Sequence, residues 1–219
     1  MYTRRRALVI GVVGMAALSG CTELASGDGP ITREASPADV DESVLDETGH
    51  ELEDQREETI SREVEAGGQS REIEATNYAT VYTKTIGDTG AEGSLFGVVS
   101  TPAFKIAGQS FNPIATADNE EILEFVSGEF GGLSVNESAD ETERTVLGED
   151  VTVTTFGADA EFNGEQIPVY VHVTAVEHED DIVIGVGAYP QELDSMEKDN
   201  VFELFDSIDH PVDDASAWE

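Results

Sequence analysis

The chain is expected to adopt an α+β fold: an antiparallel sheet of about six to seven strands, covered on one face by two main helices and preceded by a cleavable lipoprotein signal. Three observations predict it. Runs of period-two alternation are separated by turn residues, notably Gly67-Gly68, Gly148-Glu149-Asp150, Asn163-Gly164 and Glu179-Asp180-Asp181, and strands joined so tightly run antiparallel. Two segments, beginning near Asp118 and Ser195, carry apolar residues at helical spacing instead. The first twenty-one residues form a basic block, an apolar run and a small-residue site ahead of the sole cysteine.

That leader fixes an address. Arg4, Arg5 and Arg6 precede an apolar stretch from Ala7 to Leu18 that is interrupted only by Gly11 and Gly14. It falls short of the ~20 apolar residues of a spanning helix but suits the h-region of an export signal. Arg4 and Arg5 ahead of Leu8 fit a twin-arginine motif, whose translocon accepts folded cargo. Leu18, Ser19 and Gly20 form a lipobox before Cys21, so Cys21 is expected to become the lipidated N-terminus. Residues 1–20 are then signal, 21–30 anchor and flexible spacer, 31–211 a single α+β domain and 212–219 a disordered tail. Two acyl chains at ~0.8 kcal/mol per CH₂ give stable tethering where one is marginal. With Cys21 lipidated, the mature chain has no thiol for disulfides, metals or nucleophilic attack.

The elements follow in order. Val40, Val44 and Leu45 share a face of a short helix over 39–48, with Gly49 at its C-terminal stop. Residues 57–65 and the segment from Arg71 to Tyr82 form a hairpin about Gly67-Gly68, and Leu95–Thr101 is a strand ended by Pro102. Asp118 caps a helix with Glu121 in capping-box position. Ile122, Leu123, Val126 and Phe130 form its apolar stripe. A four-stranded meander runs through residues 142–147, 151–162, 166–177 and 182–189. The last helix spans 195–208 with Val201, Leu204, Phe205 and Ile208 inward, and Pro211 stops it.

Charge sets the chain's working conditions. It holds 47 acidic and 11 basic side chains, a net charge of −36 that becomes −39 once Arg4, Arg5 and Arg6 leave with the signal. Self-repulsion on that scale opposes compaction in dilute buffer, whereas at molar salt the Debye length is ~3 Å and the repulsion is screened. The acids are spread along the chain, which marks a solvated halophilic surface rather than an interaction tail. Nucleic acid and anionic headgroups are poor electrostatic partners, since such a surface repels both.

Signatures of chemistry are absent. There is no G-x-S-x-G elbow, phosphate loop or dinucleotide fingerprint, and no H-E-x-x-H. His172 and His178 share strand parity but stand roughly 20 Å apart along one strand, too far to ligate one metal. His210, before Pro211, is expected to be a helix C-terminal cation. His50 and the other histidines are expected on partly exposed sheet or loop positions. The acidic groups Glu177/Glu179/Asp180/Asp181 and Asp213/Asp214 lack calcium-loop spacing. Asn136-Glu137-Ser138 is a sequon, making Asn136 a candidate N-glycosylation site in a loop. No catalytic residue, metal or cofactor is assigned.

Glu63–Glu72 (EVEAGGQSRE), Ser100-Thr101-Pro102, Gly108–Ile114 (GQSFNPI) and Gly187–Gln191 (GAYPQ), together with the leader, resemble a haloarchaeal family of twin-arginine-exported lipoproteins of unknown function. Its motifs sit at turns and strand ends, so it implies no catalytic residues. The order of elements also resembles the PsbP-like fold, in topology alone. The expectation is a non-catalytic binding or assembly module at a halophile's cell surface, held by membrane lipid through Cys21, with an unknown envelope protein or small ligand as partner. The alternative is an envelope-associated hydrolase with an unrecognised site.

Overall fold

Residue Ile31 begins the first strand of the computed structural model, which describes residues 30–66, 69–85, 92–106, 109–110, 112–130, 133–162 and 165–212. Arg4, Arg5, Leu18, Ser19, Gly20, Cys21, the turns Gly67-Gly68 and Asn163-Gly164, and the tail beyond Val212 lie outside the described residues. Strands β1 (Ile31–Glu34) and β2 (Asp39–Val40) lead into helix α1 (Glu42–Thr48). The Asp41 carboxylate accepts from the Ser43 N–H at 2.8 Å, and Gly49 closes the helix in the left-handed region at φ 74°, donating to Leu45 O at 2.8 Å. Both ends are thus satisfied by the residues the short helical pattern contains.

Strands β3 (Glu51–Ala66) and β4 (Gln69–Thr85) form a long hairpin, followed by β5 (Glu92–Pro102) and the short pair β6 (Lys105–Ile106) and β7 (Gln109–Ser110). A 3₁₀ turn at Pro113–Thr116 and helix α2 (Asn119–Phe130) come next. The meander β8 (Leu133–Val146), β9 (Glu149–Phe162), β10 (Glu165–His178) and β11 (Asp181–Pro190) then leads to α3 (Asp194–Asp206) and β12 (Ile208–Asp209). At α2 the expected capping box forms: Asp118 Oδ1 accepts from the Glu121 N–H at 3.0 Å, while Glu121 Oε2 accepts from the Asp118 N–H at 3.3 Å.

Two expectations are corrected. The sheet has eight strands rather than six or seven, in the order β1-β4-β5-β11-β10-β9-β8 with β3 on the outer side of β4. It is mixed, because β1 pairs parallel with β4 from Ile31↔Ile73 to Glu34↔Thr76, on the stretch of β4 that β5 does not reach. The helices do not share a face. Val201, Leu204 and Phe205 of α3 pack with Phe96, Val98, Val183 and Tyr189. Ile122 and Leu123 of α2 pack with Val169, Val171, Val173, Ile184 and Val186. Successive β11 residues belong to opposite clusters, so α1 and α3 cover one face and α2 the other. A strand sandwiched on both faces needs apolar side chains at every position, and the run from Ile182 to Tyr189 has that character.

Helix α3 lies close on β11 because two glycines stand beneath it. A Cβ at Gly185 would come within 2.6 Å of Phe205 Cε1, and one at Gly187 would collide with Val201 Cγ1. Gly187→Ala is therefore expected to destabilise the domain by about 1–3 kcal/mol through overpacking. Val201→Ala in the same chain should recover part of that loss, as read from denaturant midpoints in molar salt.

Candidate functional site

One sheet face is only partly covered. Alternation along β4 sends Tyr78 and Tyr82 into one side of the sheet and Ile73, Ala75, Asn77, Ala79 and Val81 to the other. On that second side α2 packs over β8 and β10, and among the described residues no helix packs over β3 or β4. The result is an open groove of about 230 Å³, floored by β4, β5 and β11 and closed at one side by Pro113, Ile114 and Phe125. Small side chains at Ala75, Ala79 and Gly97 make it a hollow instead of a filled layer.

Its walls are mostly apolar. Ile60 and Phe125, which border it, are 42% and 49% exposed, an unusual position for large apolar groups on so acidic a chain. The Asn77 Oδ1 is buried in the wall without a hydrogen-bond partner. An unpaired buried acceptor of this kind costs about 1–3 kcal/mol relative to a satisfied one. The outer wall is β3, whose even-numbered residues Arg56, Glu58, Ile60 and Arg62 face the groove opposite Ala79, Asn77, Ala75 and Ile73.

The histidines lie away from the groove, and most are not where sequence placed them. His50, His172 and His210 are buried at 3%, 1% and 4% exposure, contrary to the expectation of partly exposed positions. His172 joins a closed relay. Tyr189 donates to Asp194 Oδ1 at 3.0 Å, so its oxygen accepts from His172 Nε2–H at 2.9 Å, and Thr155 donates to His172 Nδ1 at 2.9 Å. Burial, reinforced by Lys198, pushes the imidazole down to about 4 and keeps it neutral. His50 bridges Thr48 Oγ1 at 3.1 Å and Ser94 Oγ at 3.0 Å, and burial lowers it likewise to about 4, with Lys84 adding and Glu197 opposing.

His210 is no helix-end cation. Helix α3 ends at Asp206, and the chain continues through β12 to place the ring under the β10–β11 turn. Its Nε2 donates to Asp181 Oδ2 at 3.2 Å, its Nδ1 meets His178 Nδ1 at 3.0 Å, and Asp181 Oδ2 also accepts from the Ser36 N–H at 2.7 Å. Asp181 is accordingly a buried acceptor and not a solvated surface acid. Ser100 Oγ lies 3.5 Å from the same Nε2. Since that nitrogen already donates to Asp181, it offers the serine no base, and the trio does not form a nucleophilic relay.

Among the described residues no group of three or more histidine, aspartate and glutamate side chains is arranged to hold a metal ion. Asn136 is exposed, but it sits in β8 at the register shift between Val135 and Ser138 and not in a loop. No helix of the described residues is long and apolar enough to cross a membrane.

Residues 37–209 match the model of a family described as Domain of unknown function (DUF6517). No curated protein matches the sequence. Among solved structures, the chain is similar to cyanobacterial PsbP (CyanoP) from Synechocystis sp. PCC 6803, at 9% identity over 84% of this chain and 97% of that one, with a TM-score of 0.36. It is also similar to LpqN, involved in cell envelope biogenesis of Mycobacterium tuberculosis, at 10% identity over 73% and 88% of the two chains, with a TM-score of 0.29. Nothing functional follows from likeness at these scores.

Proposed function

We propose that this chain, which belongs to the DUF6517 family, is a lipid-anchored, non-catalytic binding module on the extracytoplasmic surface of a halophile. The observation that carries the reading is the apolar groove left open among the described residues, with its orphan Asn77 acceptor and exposed apolar lips. Concave, largely apolar hollows with a few polar groups are the usual form of small-ligand sites. A small ligand is favoured over an envelope protein because the apolar surface is recessed. The hydrolase alternative draws no support from the Ser100, His210 and Asp181 arrangement, where serine and carboxylate compete for one nitrogen.

Anchoring and binding are tested separately. Cys21→Ser is expected to move the protein from membranes to the soluble fraction, and a variant that stays membrane-bound through salt and carbonate washing overturns the anchor. For the groove, the uncharged environment-sensitive dye prodan, added in molar salt, should brighten and shift to the blue. Ala79→Trp, which fills the hollow, should abolish that signal while leaving circular dichroism unchanged. Absence of any dye signal overturns the groove as the binding face.

A further inference from the structure

We infer that the groove takes an apolar molecule with an anionic head, carboxylate or phosphate, seated with the head at the Ile73 end. The inference rests on the groove being the binding face and adds what it selects. Size comes first: at roughly 10–15 Å³ of cavity space per water-sized group, a hollow of about 230 Å³ admits an apolar body of roughly 15–23 non-hydrogen atoms.

Charge distinguishes one end. The whole chain has 11 basic side chains against 47 acidic ones, yet two arginines flank the same end of β4. Arg62 stands opposite Ile73 on β3, and Arg33 stands opposite Ala75 on β1. Strands on either side of a common neighbour lie about 10 Å apart, a gap that two arginine side chains can bridge to one anion. Arg33 already lies over the ring of Phe104, 5.2 Å from its centroid, and Phe104 lines the groove beside Ile73. Arg62 makes no ion pair among the described residues.

The other end is less suited to an anion. Arg56 is loosely paired with Asp54 at 3.6 Å, and Glu58 lies between Arg56 and Arg62. With the head between Arg33 and Arg62, the body runs over Ala75 and past Asn77 toward Val81. A donor on that body would satisfy the Asn77 Oδ1. Screening at molar salt removes long-range repulsion from the acidic surface but leaves contact hydrogen bonds to guanidinium in place.

The test is displacement of prodan in molar salt by octanoate, octyl phosphate, octanol and octyltrimethylammonium. The two anions should displace the dye at about tenfold lower concentration than octanol, the ratio expected from one charge-assisted hydrogen bond. The cation should be weakest. Arg33→Gln with Arg62→Gln should erase the preference for anions while dye binding and octanol competition persist. Equal displacement by all four, or preference for the cation, overturns the inference yet leaves the groove as a binding face. Failure of prodan to bind sinks both. A dimer in sedimentation that Ala79→Trp dissociates would instead assign the groove to a second copy of the chain. Preference for only one of the two anions identifies the head as carboxylate or phosphate.

Discussion

Lys84→Met is expected to destabilise the domain by about 3–5 kcal/mol, the range for removing one partner of a buried ion pair. Lys84 Nζ donates to Glu197 Oε1 at 2.7 Å, where the lysine side chain is 20% exposed and the glutamate 3%. Asn200 reaches the same oxygen only at 3.4 Å, and Glu197 Oε2 is buried without a partner. The carboxylate therefore relies on one cation, and without it a charge is stranded between α3 and the sheet. Lys84→Met combined with Glu197→Leu should be near neutral, because it removes the desolvated charge together with its partner. Denaturant unfolding in molar salt separates this pair from exposed ones, which are screened there. A loss below about 1 kcal/mol for Lys84→Met would place the pair with ordinary surface bridges.

Lowering the pH from 7 to 5 should weaken the fold through His50 and His172. Each has an ordinary value of 6.5 that burial lowers to about 4. Between those values the unfolded chain binds protons that the folded chain refuses, so stability falls as pH falls from 6.5 and levels off below 4. At 1.36 kcal/mol per pH unit, each histidine contributes on the order of 2 kcal/mol by pH 5. His172→Gln should flatten the pH dependence of the unfolding midpoint while lowering stability at pH 7, since Thr155 and Tyr189 lose their shared partner. An unchanged slope in that variant would show that His172 titrates normally in the folded protein.

Local rules carried much of the fold into the sequence. The Asp118–Glu121 box, the Gly49 stop and the stripe Val201, Leu204 and Phe205 are each decided within one or two helical turns. The meander was equally legible, although its turn falls at Leu147-Gly148, both at positive φ, one residue earlier than expected. What escaped was decided by distant partners. The amino-terminal part of β3 (Glu51–Gln55) carries few apolar residues and is held as a strand by its ladder with β4, while two register shifts between Val135 and Asp140 break the alternation of the first half of β8, which its ladder with β9 holds as a strand. His50, His172 and His210 find their partners in Ser94, Tyr189 and Asp181, which no local pattern associates with them. The groove draws on β3, β4, β5, β11 and α2 together. One signal for it was present: β4 alternates tyrosines with Ala75, Asn77 and Ala79, one full face against one deficient in volume.

The closing contacts of the domain also set how it bears load. Ser36 N–H is held by Asp181, Pro37 O accepts from the Val212 N–H at 3.0 Å, and β2 pairs with β12. The first and last described segments are thereby clasped together at one pole. Tension arriving from residues ahead of Ile31 meets the β1–β4 ladder first and this clasp next, before it can strip β3 or peel the meander. Resistance to such a pull is a matter of unfolding rate rather than of equilibrium stability. If the proposed anchor holds the N-terminal end to a membrane, the residues that join the two described ends act as the mechanical fastening of the domain.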